Sequence, residues 1–64
     1  MKRKELNNLA KKIAKCEQII QSSSDPAERE RAEAEIVKLS KGVTNLDDLM
    51  ALEEIIYDIL TKNS

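Results

Sequence analysis

Few side chains in this 64-residue sequence carry chemistry, and each is short of a companion. Cys16 is the one thiol, and there is no histidine. A lone cysteine forms no internal disulfide, and without imidazole it lacks both a catalytic base and the usual fellow ligand for zinc. Glu17 and Glu53 are the pair of carboxylates best placed for general acid and base work or for metal ligation, since both fall within or beside apolar helical stripes. Helical di-metal sites, however, draw on a Glu-x-x-His pattern, which is missing here. Arg29 also falls beside a stripe, near the far end of the first helix in a hairpin, so an ion pair with Glu17 that fixes register is the expected use of both. There is no Gly-rich phosphate loop, no Cys-x-x-Cys and no calcium loop. The sequence therefore reads as non-enzymatic, with no cofactor, no metal and no small-molecule substrate.

Charge offers a second kind of chemistry. The formal net charge is -1, but residues 1–15 carry six cations against Glu5, so the remainder sums to about -6. Lys4, Lys11 and Lys15 recur at i, i+7 and i+11, which sets them in one row opposite the apolar seam of the first helix, flanked by Asn7 and Asn8. Such a row is the candidate nucleic-acid contact, through phosphates; the competing reading is a solvated face. Asp47, Glu54 and Asp58 repeat the same spacing on the outer face of the last helix, so rows of opposite sign are available for docking one copy on another. Lys2, Arg3 and Lys4 oppose the dipole of the helix they begin. In an up-down-up arrangement Asp47 and Asp48 lie at the same end and offset them.

These residues need elements to hold them, and the punctuation for three helices is plain. Asp25-Pro26-Ala27-Glu28 combines an N-cap carboxylate, proline at the first helical position and glutamate at the third. The preceding Ser22-Ser23-Ser24 closes the first helix. Lys41-Gly42 ends the second with a cationic turn and a glycine expected in the left-handed cap, Val43 packing back on Leu39. Thr44 or Asn45 caps the third. The expected helices span about 4–21, 26–41 and 45–62, and no segment alternates as a strand would. Short loops make neighbours antiparallel. The fold expected is all-α: a small up-down-up three-helix bundle forming a single domain over residues 1–64, which reads as a complete short protein.

The apolar pattern fills in that bundle. Leu6, Leu9, Ile13, Cys16 and Ile20 form a seam on the first helix, spaced 3, 4, 3 and 4. Ala32, Ile36, Leu39 and Val43 make a narrow stripe on the second, which looks like a strut between two stronger helices. The third helix is different. Its apolar residues spread over roughly 220° of the circumference, against the ~100–140° that a helix on one core hides. Leu49, Leu52, Ile56, Ile59 and Leu60 are expected to face the first two helices. Leu46, Met50 and Tyr57 lie on one flank and Ile55 on the other, and these four are the candidate protein interface. With no Phe, no Trp and one Tyr, the core is small, so self-association as a homodimer, or docking of a partner helix, is the expected remedy.

The segment from Ile36 through Lys41-Gly42-Val43-Thr44 to Leu49 resembles the turn of a DNA-binding helix-turn-helix. The helix that would enter the groove carries Asp47, Asp48, Glu53, Glu54 and Asp58 against Lys62, and phosphate repels it. Lys38 also stands where that motif takes a small residue. The resemblance therefore does not imply a DNA reader. No apolar run approaches a membrane span or a leader segment, and the lone thiol fits a reducing, cytoplasmic setting.

Overall fold

The structure is a computed structural model describing residues 1–62. Three helices make it up: α1 (Arg3–Ser22), α2 (Pro26–Ser40) and α3 (Leu46–Lys62). Their bounds follow from identifiable caps. The Asp25 carboxylate accepts from the Ala27 N–H at 3.0 Å, with Pro26 at the first position, so α2 starts where its capping residues dictate. Asn45 is the cap of α3: its side-chain oxygen accepts from the Asp47 N–H at 2.8 Å and its carbonyl from the Leu49 N–H at 2.9 Å. α1 runs one residue past the expected end: the Ser23 N–H still donates to the Ile19 carbonyl at 2.8 Å, and the Ser22 hydroxyl bonds back to the Gln18 carbonyl at 2.7 Å.

The end of α2 departs from expectation. Gly42 does not adopt a positive φ. Instead the Gly42 and Val43 N–H groups donate to Leu39 and Ser40 at 3.3 and 3.0 Å, so the helix winds down through tight i to i-3 turns that need no left-handed residue. This route carries Val43 inward, where it is buried in the core.

The three helices form a small all-α bundle with α1 at its centre, packed against both α2 and α3. The amino group of Met1 lies 2.9 Å from the Asp48 carboxylate, so α1 and α3 begin at the same end, and α2 returns between them in sequence. α2 and α3 nowhere approach each other within 8 Å, Cα to Cα. The expectation that α3 faces both other helices is corrected on this point, as is the picture of α2 as a strut joining two helices. The stripe on α2 is one neighbour wide, and among its own residues Ala32 alone is fully buried. It seats on α1 and has nothing left for α3. The result is an open layer measuring 34 × 25 × 15 Å, with a radius of gyration of 11.9 Å where a compact chain of this length has about 10.7 Å.

The shared core consists of Leu6, Ala10 and Ile13 of α1, Val43 of the loop and Leu52 of α3. Ile36 and Leu39 of α2 and Leu49, Ile55, Ile56 and Ile59 of α3 pack against it, half-buried. The most buried α1 positions include Ala10 and Ala14, at 0% and 1% exposure, which stand beside the expected seam rather than in it. By helical spacing they share a flank with Arg3, and Arg3 borders Ala51, Glu54, Ile55 and Asp58 of α3. That flank therefore faces α3. Cys16 stands on the opposite flank, near Glu35 of α2, and Leu9, seven residues before it, shares that flank by helical spacing.

Candidate functional site

The outer edge of α3 is the surface that calls for a function. Three large apolar side chains stand in solvent there: Leu46 at 69%, Met50 at 61% and Tyr57 at 69% exposure. At 100° per residue the three fall within an arc of roughly 40°, and they span about 16 Å along the axis. Leu52, on the opposite side of the same helix, is 1% exposed against α1. The sequence-derived edge of Leu46, Met50 and Tyr57 is thus brought together on one exposed strip. Ile55, the fourth candidate, is not part of it. It is half-buried and packed against the core, and it borders Arg3 of α1.

Carboxylates border this strip on both sides. Glu53 lies at one margin and Glu54 and Asp47 at the other, all exposed, and Asp58 follows beyond them. The one cation of α3 is Lys62, in its last turn. Asp48 is half-buried and taken up by the Met1 amino group, whose pKa is raised first by that hydrogen bond and then by the charge of Asp48, against a smaller opposing effect of desolvation. The acidic start of α3 does offset the start of α1, then, but through the chain's amino group. Arg3 lies further along, beside Glu54 and Asp58, and Lys2 and Lys4 are exposed.

Lys4, Lys11 and Lys15 are all exposed, in a row on α1 away from its core side. Their candidate role as a nucleic-acid contact meets a local obstacle, because the acidic Glu54 and Asp58 reach the neighbouring edge of α1 at Arg3. The helix-turn-helix resemblance loses its geometry as well, since α2 and α3 do not pack on each other.

The remaining polar candidates stay apart. Glu17 is half-buried while Arg29 and Glu53 are exposed, and among the described residues the one ion pair within 4.0 Å joins Met1 to Asp48. The expected Glu17–Arg29 pair is therefore not made. Arg29 instead borders a shallow hollow with Pro26, Glu30 and Glu33 of its own helix. Among the described residues no group of three or more potential ligands is placed to hold a metal ion. Cys16 is half-buried on the α2 side, and its thiol pKa is pushed up by burial and then by Glu35, against a smaller opposing effect of Lys15. It is an unactivated thiol. No described helix is long and apolar enough to cross a membrane.

No known protein family, curated protein or solved structure matches this chain.

Proposed function

We propose that this chain is a non-enzymatic helical protein–protein interaction module, and that its contact surface is the outer edge of α3. The observation that carries this reading is the exposed strip of Leu46, Met50 and Tyr57 on a helix whose opposite side is already buried against α1. Tyr beside Met on an exposed apolar strip is a composition enriched where proteins bind one another.

A second copy of the chain as the partner, giving a homodimer, is the second reading. It is favoured by the smallness of the core, in which Leu52 is the one large side chain with under 2% exposure. Nucleic-acid binding through Lys4, Lys11 and Lys15 is supported by the exposure of that row alone. The half-buried, unpaired thiol of Cys16 suits the reducing conditions of the cytoplasm.

Sedimentation over a concentration series, with native protein and Tyr57→Glu side by side, tests the module and its self-association together. A native dimer that the substitution disperses supports the homodimer. A native monomer directs the search to a different partner. Failure of every Leu46, Met50 or Tyr57 substitution to alter any association of the protein would sink the reading.

A further inference from the structure

The geometry points to a basic amphipathic helix of another protein as the occupant of the α3 edge. This inference rests on the edge being an interaction surface and adds the chemistry of what fits it. The apolar strip is a little over three helical turns long, with Glu53 on one margin and Glu54 and Asp47 on the other, all exposed. α3 carries five carboxylates against Lys62, and Asp48 alone among them is paired with a cation within 4.0 Å. A ligand for this surface must therefore supply an apolar stripe and positive flanks together.

A second copy of the chain does not offer that combination. Laying one α3 edge on another sets the carboxylate margins against each other, with Glu53 near the middle of the strip meeting its own mate in an antiparallel pairing. α1 has the positive face, yet no large apolar side chain of α1 is exposed. α2 exposes Val37 alone among its large apolar residues, with Glu30 and Glu33 on the same side. The exposed large apolar residues outside α3 are Met1 and Val37, and neither forms a stripe. The complement has to come from a different chain, as a helix of about three to four turns with Lys or Arg beside its apolar positions.

The full chain should be titrated with three labelled synthetic helices: one with a Leu stripe and Lys flanks, one with the same stripe and Glu flanks, and one with Lys flanks and the stripe replaced by Ser. Fluorescence anisotropy reads affinity, and amide chemical shifts of the protein locate the contact. The Lys-flanked Leu helix is expected to bind at least tenfold tighter than either control, to weaken with added salt and to shift the amides of Leu46, Met50 and Tyr57. Tyr57→Glu, which alters an exposed residue and should leave the helical circular dichroism unchanged, should lower that affinity at least tenfold. Glu53→Lys with Glu54→Lys should erase the preference for Lys flanks. Equal binding of the Glu-flanked helix overturns the charge inference while leaving the module reading intact. Equal binding of the Ser helix overturns it as well, by reducing the effect to bulk charge. If no helix binds and no α3 amide shifts, the module reading itself fails, and a concentration-dependent dimer that covers the strip assigns the edge to a second copy.

Discussion

Leu46 and Leu52 are the same residue type on the same helix, at 69% and 1% exposure, so truncating each to alanine separates core from surface. Leu52→Ala removes a side chain enclosed by Leu6, Ala10, Ile13 and Val43, and deletions of this kind cost about 2–5 kcal/mol. A chain of this length is expected to have a stability of about 3–10 kcal/mol. The substitution thus removes a large share of the total, lowering the melting temperature by roughly 10–40 °C, and at the low end of the stability range it unfolds the chain. Leu46→Ala deletes atoms that already sit in water, so its cost stays within about 0.5 kcal/mol. Urea unfolding followed by circular dichroism at low micromolar concentration measures both, with the midpoint for Leu52→Ala about 1.5 M or more below that for Leu46→Ala at the slope of ~1 kcal/mol/M of a small chain. If Leu46→Ala costs the dilute protein as much as half of what Leu52→Ala does, the edge is covered from within the chain, and no surface remains for a partner. Repeating the measurement at high concentration adds the second half of the test. A Leu46→Ala penalty that grows with concentration would mean that a second copy covers the edge.

Three further outcomes are expected. Gly42→Ala should be neutral or stabilising by about 0.4–1 kcal/mol, since Gly42 has no positive φ and an added Cβ would meet the Leu39 carbonyl oxygen at an ordinary 3.5 Å; a loss above 1 kcal/mol in urea unfolding would restore the left-handed cap. Because the Met1 amino group has a raised pKa in the folded chain, its pairing with Asp48 supports the fold fully below about pH 8 and is lost as pH rises through the raised value. Asp48→Asn should remove that pH dependence of unfolding, and persistence of the same dependence in the variant would count against the pairing. The Cys16 thiol, half-buried with its pKa pushed up, should react with a thiol reagent at pH 7.5 several-fold more slowly than an unstructured cysteine peptide, and a rate equal to the peptide's would place it fully in solvent.

The helices were legible because their ends are written in local chemistry. Asp25-Pro26 and Asn45 fix two starts through hydrogen bonds to the next residues in the chain, and those bonds form in the structure. The exposed edge of α3 was legible for a related reason, since the position of Leu46, Met50 and Tyr57 on the helix circumference follows from spacing alone. The packing partner of each helix was not. Ala10 and Ala14 are buried while Ala27 and Ala34 are exposed, and alanine satisfies a solvated face and a close helix contact equally well. Their i, i+4 spacing beside Arg3 was the available signal, but it acquires meaning only once α3 is known to lie on that side. Gly42 misled in the opposite sense: glycine permits a left-handed cap without requiring it, and the choice was decided by Val43, which the tighter turn delivers to the core.

The width of the apolar surface on α3 and the absence of an α2–α3 contact are two sides of one arrangement. α1 offers two flanks, an alanine flank for α3 and the Leu9 and Cys16 flank for α2, and the outer helices therefore each have a single neighbour. For α2 that is sufficient, because its stripe is narrow. For α3 it is not: one neighbour hides ~100–140° of a helix whose apolar residues spread over roughly 220°. Subtracting the arc that α1 covers leaves Leu46, Met50 and Tyr57, the three large side chains of α3 found exposed. A closed bundle would have turned this excess towards α2, and the sequence would then need no partner to account for it. Since α2 stays away, the remaining arc is left uncovered within the chain, and the carboxylates along its margins are what the proposed basic helix would meet.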